Sequence, residues 1–407
     1  MAAKLERRLG SVDAVVIGLG AMLGAGVFAA FGPAAHAAGN GLLFGLAIAG
    51  IVAYCNATSS ARLAALYPES GGAYVYGRRR LGPFWGHLAG WGFVVGKVAS
   101  CAAMAMTFGS YVAPGYERLL AIAAVCSLTT VNYFGVRKTA LATYAIVAVV
   151  LLALATVLVA VAFGEAASSS RLWPVVGASP SGIFRAAGYC FFAFAGYARI
   201  ATLGEEVRDP ERTIPRAISI ALSIAFCVYL FVGIAALAGA GASELANASA
   251  PLMVAVEKGK LAFLAPVVRV GAAVASAGVL LSLIAGLSRT ILAMARNDDL
   301  PAFFAAVHPR HHVPHRAELG IGALVVMVVA LADLRQAIGF SSFTVLTYYA
   351  VANAAAWTLG MRWVPAVGFL GCVVLAFTLP LDAVVAGASV LATGALLRSM
   401  RSHRRRR

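Results

Sequence analysis

Long apolar stretches dominate this chain and leave little room for anything but a membrane protein. Twelve can be read, at roughly 12–36, 41–66, 84–113, 117–134, 140–163, 182–204, 215–241, 261–295, 317–333, 337–359, 363–379 and 381–398. A helix that crosses the hydrocarbon of a bilayer needs about 20 apolar residues. Inside lipid the backbone must satisfy its own hydrogen bonds, so each stretch reads as a helix. Composition agrees, at 61% hydrophobic and 12% charged with a mean hydropathy of +0.87. A soluble domain of 407 residues would need far more charge to cover its surface. The connections between stretches are too short for a separate soluble domain, so residues 1–407 read as one transmembrane domain.

The formal net charge of +16 raises nucleic acid as a partner, but the placement of the charge argues for lipid instead. Basic residues fall in short clusters between apolar runs, such as Arg78 to Arg80, Arg137-Lys138 and the tail Arg404 to Arg407. No aromatic-interleaved basic face accompanies them, so no nucleic-acid partner is expected. With a cytoplasmic N-terminus, 21 basic residues fall on the cytoplasmic side. Five (Arg118, Arg171, Lys258, Lys260 and Arg335) fall on the other. That asymmetry predicts a multi-pass protein of the inner (plasma) membrane with both termini in the cytoplasm. Lys4, Arg7 and Arg8 precede an apolar run too long for a signal peptide. The six cysteines lie in apolar runs and read as small buried hydrophobes. His308, His311, His312 and His315 crowd one loop, but nothing around them completes a metal site, and neither metal nor cofactor is expected. No nucleophile–base pair lies in the apolar runs, which argues against an enzyme.

Two of the runs are interrupted. The first contains Gly18, Gly20, Gly24 and Gly26; the sixth reads Phe191-Phe192-Ala193-Phe194-Ala195-Gly196-Tyr197. By parity the two run in opposite directions, and paired breaks in opposed halves point to a binding site near the bilayer midplane. Amides around Gly24 to Gly26 at the start of a half-helix would suit a carboxylate. Close helix packing explains the same glycines equally well, because Gly20 and Gly24 form a small-xxx-small pair. A dinucleotide-binding loop does not fit, since no strand precedes them.

These stretches resemble a known family. IGLGAMLGAGVF (Ile17 to Phe28) is similar to the first-helix signature of the amino acid–polyamine–organocation (APC) superfamily. FFAFAGYARIATLGEEVRDPERTIPRAI (Phe191 to Ile218) resembles its sixth helix and the loop that follows. YPESGGAYVYGRRRLGP (Tyr67 to Pro83) and SRTILAMARNDDLP (Ser288 to Pro301) resemble its second-to-third loop and the end of its eighth helix. The resemblance implies an all-α membrane protein of twelve helices. In it, inverted five-helix repeats (12–163 and 182–359) would carry broken helices 1 and 6, with peripheral helices over 363–398. It further implies that Gly24, Ala25 and Gly26 cradle a substrate carboxylate, and that backbone at Phe194, Ala195 and Gly196 receives the amino group. Phe192 would stand where some relatives place a gating aromatic, or would serve as core. On this reading Gly26→Val abolishes transport and leaves folding intact.

Lys97 lies in the middle of the third run, where a lysine costs about 2.5–3.5 kcal/mol. No mid-span carboxylate is available to pair with it. Proton-coupled relatives often carry a lysine in helix 5, yet Ala140 to Phe163 contains none. Lys97 is therefore the candidate coupling residue, with a structural tie between helices as the alternative. Ser276 is a candidate hydroxyl for an ion or substrate. Arg199, just after the second break, reads either as an inner-gate residue or, with slight preference, as reaching towards headgroups, and Glu205, Glu206 and Asp209 as salt-bridge partners of Arg208, Arg212 and Arg216. The whole reads as a proton-coupled permease of a small neutral amino acid. A transporter of cationic amino acids or polyamines, or a non-transporting solute sensor on the same scaffold, would also fit.

Overall fold

In a computed structural model of the chain, residues 9–67, 71–135, 140–173, 178–203, 206–360 and 362–404 are described. The cationic residues Lys4, Arg7, Arg8, Arg137, Lys138 and Arg405 to Arg407, together with Glu205, lie outside that set. Among the described residues the structure is helical throughout, apart from one isolated parallel bridge between Leu9 and Val207.

The first apolar run gives three helices, α1 (Ser11–Met22), α2 (Ala25–Ala29) and α3 (Phe31–Ala38), and α4 (Leu42–Leu66) returns across the bundle. A short α5 (Ala73–Arg80) precedes the long α6 (Pro83–Val112). Then follow α7 (Glu117–Tyr133), α8 (Ala140–Phe163), α9 (Pro180–Phe194) and α10 (Ala198–Ala201). After α11 (Pro210–Ala240) come the small helices α12 (Ala242–Asn247) and α13 (Pro251–Glu257). The chain ends with α14 (Ala265–Arg296), α15 (His315–Leu331), α16 (Leu334–Trp357), α17 (Trp363–Thr378) and α18 (Leu381–Arg404). Among the described residues, seven segments are long and apolar enough to cross a membrane by length and composition, including Pro83–Val112 and Pro210–Ala240.

At the centre stands α6, packed against α14, α16, α7, α15 and α18. Its small residues allow this. A Cβ at Gly96 would overlap Thr344, and one turn on Ser100 Oγ meets Ser341 Oγ at 2.7 Å. In lipid such close approach, more than a hydrophobic drive, holds helices together. Around the perimeter Leu152, Phe163, Phe231, Leu370 and Phe377 point outward, an apolar surface suited to acyl chains. Cys126 and Cys227 share that outward exposure, which corrects the reading of all six cysteines as buried; the other four are.

One face of the bundle is fastened by a buried carboxylate. Asp299, in the turn after α14, has a fully buried side chain. Its Oδ2 accepts from Tyr74 Oη at 2.7 Å and Arg78 Nη1 at 3.0 Å, while Arg398 of α18 binds Oδ1 and His87 Nδ1 stands 3.7 Å away. Three separate segments, α5, α6 and α18, converge on one acid. Burial opposes its ionisation, but hydrogen bonding and charge from His87, Tyr74 and Arg398 outweigh that and hold the carboxyl below the usual carboxylate range. On the same face Leu9 N donates to Glu206 O at 3.0 Å and Arg208 N to Leu9 O at 2.9 Å, tying the start of the chain to the segment after α10. Among the described residues, Glu206 and Asp209 form no ion pair with Arg208, Arg212 or Arg216, contrary to the sequence expectation.

A carboxyl with a lowered native pKa stabilises the fold fully above its unfolded value of about 3.9, and that stability is lost as the pH falls through the native value. Asp299→Asn should lower stability by about 2 kcal/mol. Thermal unfolding in detergent should show a gap from wild type that is flat between about pH 5 and 8 and closes only below about pH 3.9.

Candidate functional site

The first helix breaks at Leu23 and Gly24. Leu23 N still donates to Leu19 O, but Gly24 is extended (φ −78°, ψ −157°), and the helix resumes with α2. The sixth tightens into a 3-10 turn over Ala195–Tyr197 between α9 and α10. The two breaks touch. A Cβ at Gly196 would lie 2.3 Å from Ala21 O, so a residue without a side chain is needed for the contact.

Each break frees backbone groups, and tyrosine hydroxyls take up the carbonyls. Tyr229 of α11 is fully buried, and its Oη is shared between Met22 O (2.5 Å) and Ala193 O (3.0 Å). One hydroxyl thus bridges both interrupted helices. From α16, Tyr349 Oη reaches Ala195 O at 3.4 Å, and its ring stacks 5.0 Å from Tyr197. Tyr111 of α6 donates to Phe28 O at 2.9 Å and accepts from Leu252 N of α13 at 3.2 Å, joining α6, the end of α2 and the α12–α13 segment. The amide side is different. The first amides of a helix have no partner within it, and no side chain caps the amino end of α2.

The candidate residues from the sequence gather here unevenly. Gly24 faces α14, where its Cβ would lie 2.3 Å from Val279 Cγ2. Ser276 sits one turn before Val279, fully buried, its hydroxyl without a described partner. Gly26 faces α9, where a Cβ would come 2.7 Å from Ala193 Cα. That is backbone and cannot step aside, so Gly26→Val pushes the first and sixth helices apart. The expectation that this change spares folding is corrected accordingly. Ala25 is fully buried, as is Phe194, whose ring packs 4.9 Å from that of Tyr229. Phe192 is buried at 7% exposure, and Ala195 lies in the turn.

Lys97 is 8% exposed on α6 and forms no hydrogen bond or ion pair with any described residue. Its Nζ lies 5.9 Å from the centroid of Phe93. Phe93 stacks at 5.0 Å on Tyr348, which meets Tyr349 at 5.1 Å. A ladder of three rings therefore runs from the amine to the tyrosine at the second break. Arg199 in α10 is half-buried, with Glu206 and Arg289 acting on it electrostatically, and does not simply extend to the surface. Three of the four histidines, His308, His311 and His315, pack as rings around Tyr133, with His308 and His311 4.6 Å apart. Sequence reasoning missed Tyr111, Tyr229 and Tyr349. The available signal was a hydroxyl inside an apolar run, since a buried tyrosine needs a partner.

Two interrupted helices meeting inside an apolar bundle, with amides uncapped at one break, define a membrane transporter and not an enzyme. The chain belongs to the amino acid permease family, whose model matches residues 13–369. It is 61% identical over 397 residues to an uncharacterized transporter of Mycobacterium tuberculosis (strain ATCC 25618 / H37Rv), covering 96% of this chain and 90% of the relative. It is 24% identical to the branched-chain amino acid permease BcaP of Bacillus subtilis (strain 168), covering 86% and 80%. With cationic amino acid transporter 4 of Homo sapiens the identity is 28%, covering 87% and 60%.

Tyr229→Phe keeps the ring packed on Phe194 and deletes both carbonyl bonds. It should cost about 1–3 kcal/mol in detergent unfolding, the range for a buried group left unsatisfied. Uptake by the reconstituted variant should fall severalfold beyond what its folded fraction explains.

Proposed function

We propose that this permease moves a small neutral amino acid by alternating access, with protons as the coupling ion. The observation that carries the reading is the junction of the two breaks at Tyr229, beside the uncapped start of α2. A substrate carboxylate at the amides of Gly24, Ala25 and Gly26 would supply the acceptor that no side chain provides. Its ammonium would take carbonyls around Phe194, Ala195 and Gly196, with Ser276 as a neighbouring hydroxyl and Phe192 closing the space. Gly24 and Gly26 lie against Val279 and Ala193, so admitting substrate requires α2 to part from α9 and α14. Twelve crossings, repeats over 12–163 and 182–359, peripheral helices over 363–398 and cytoplasmic termini in the inner membrane complete the proposal.

A neutral substrate is favoured by the carboxylates. Among the described residues, the buried ones are Asp299 and Glu318. Asp299 is held by its cations, and Glu318 meets Ser288 at 3.3 Å, about 18 Å along α14 from Ser276 at 1.5 Å per residue. A cationic side chain would find no counter-charge at the breaks. The relatives named for cationic amino acids keep that substrate class as the second reading.

Lys97 is the coupling group in this proposal. Buried without a carboxylate, its amine gains and loses a proton according to whether its surroundings are wet or dry. Its ladder of rings to Tyr349 gives the second break a route to feel that change. In proteoliposomes, wild-type protein should accumulate leucine or alanine under an inward proton gradient and not under a sodium gradient. Lys97→Ala should bind but not accumulate, and Lys97→Arg should fail likewise, because arginine does not release its proton. Proton-driven accumulation intact in both variants would leave Lys97 a structural tie. Binding without accumulation by wild type would make the protein a sensor.

A further inference from the structure

A second charged cavity lies away from the helix breaks, on the face opposite Asp299. It measures about 380 Å³, within the usual range of roughly 300–1,000 Å³ for small-molecule sites. Its walls come from four elements: His36 from the end of α3, Arg185 and Tyr189 from α9, Asp333 and Arg335 at the start of α16, and Asp382 at the start of α18. By the proposed topology this face is extracellular.

Five ionisable side chains of both signs therefore surround one space, yet among the described residues no ion pair joins any two of them. Backbone anchors hold three of them apart. Arg185 Nε donates to Thr378 O at 3.1 Å, and Arg335 Nη2 to Ala246 O at 3.2 Å. Asp333 Oδ1 accepts from Gln336 N at 2.8 Å as the cap of α16. Asp382 has no described hydrogen-bond partner. Each guanidinium thus keeps most of its five donors uncommitted. Tyr189 adds an independent sign. It is 2% exposed and lines the cavity, while its hydroxyl bonds to no described residue. That hydroxyl opens onto the cavity, where a bound ligand can donate to it or accept from it.

We propose that this cavity is a second amino-acid site, recognising the α-ammonium and α-carboxylate of a zwitterion. A simple anion would meet Asp333 and Asp382, and a simple cation would meet Arg185 and Arg335; only a ligand carrying both charges satisfies both walls. The guanidinium fork takes the carboxylate, the aspartates take the ammonium, and Tyr189 donates or accepts between them. Because α3 and α9 continue from the two breaks, a bound zwitterion fastens their outer ends to α16 and α18. The site thereby senses external amino acid and biases the outer face towards the closed form. The choice of a zwitterion rests on the amino-acid reading of the central site.

The test places a thiol in the cavity wall as Ala37→Cys, with the exposed natural thiols removed as Cys126→Ser and Cys227→Ser. Its labelling by a membrane-impermeant thiol reagent is timed in proteoliposomes, with leucine uptake measured in parallel. Leucine or alanine at millimolar concentration should slow labelling at least fivefold. Isoamylamine and 4-methylpentanoate, which each lack one charge, should not. Arg335→Gln and Asp382→Asn should each remove the protection while leucine uptake continues. Protection that survives both substitutions reports only the central site and overturns the proposal, as does labelling that neither amino acid slows. Charge-selective protection without uptake would uphold this site and refute the transport reading, so the two fail separately.

Discussion

Interrupting a helix inside hydrocarbon leaves polar backbone groups that water cannot reach, and the rest of this structure is organised around meeting that demand. Each stranded carbonyl would cost on the order of 1–3 kcal/mol if left alone. The protein answers with tyrosines delivered from uninterrupted neighbours: Tyr229 from α11, Tyr349 from α16 and Tyr111 from α6. These hydroxyls do more than satisfy acceptors. Because Tyr229 touches carbonyls of both broken helices, neither can shift without altering the bonding of the other. A donor shared between the two broken helices ties them together at the point where substrate is proposed to bind.

The amide side of the first break differs from its carbonyl side, and the proposed binding site rests on that difference. Carbonyls find partners within the protein, whereas no side chain caps α2. In the proposed function, the acceptor oxygens of a substrate carboxylate would complete the hydrogen bonding of these amides. Glycine serves here through absence of volume more than through backbone freedom. At Gly24, Gly26 and Gly196 a methyl group would overlap Val279, Ala193 and Ala21 respectively. The packing and binding accounts of the glycine run are therefore one account, since tight closure is what brings the amides of one helix beside the carbonyls of the other.

The apolar runs and the positions of the two breaks could be read from residues alone, because apolar length and glycine interruption are local properties. The family could be read too, from the stretches around Gly24 and Gly196. What escaped was the partnership of distant groups. Nothing near Tyr229 in sequence indicates that its hydroxyl meets Met22, 207 positions away. Asp299 read only as part of the stretch at the end of the eighth helix, with no hint that α5, α6 and α18 would each send it a donor or a cation. The loop acids Glu206 and Asp209 were assigned to nearby arginines, yet no described ion pair joins them. Proximity along the chain misled there, since in an exposed loop it does not fix a geometry. Long-range polar contacts in a membrane protein depend on which helix faces pack, and twelve apolar runs of similar composition do not specify that.

The carboxylate of Asp299 also sets an order on assembly. The chain is made from its amino end, and domains begin to fold as they emerge. Tyr74, Arg78 and His87 are already present when Asp299 is synthesised, but Arg398 belongs to α18 and arrives about a hundred residues later. Until α18 enters the bilayer, this face of the bundle holds its buried acid with an incomplete set of donors. A chain that stops short of Arg398 would thus hold every element of the central junction and still lack one of the cations on its buried acid.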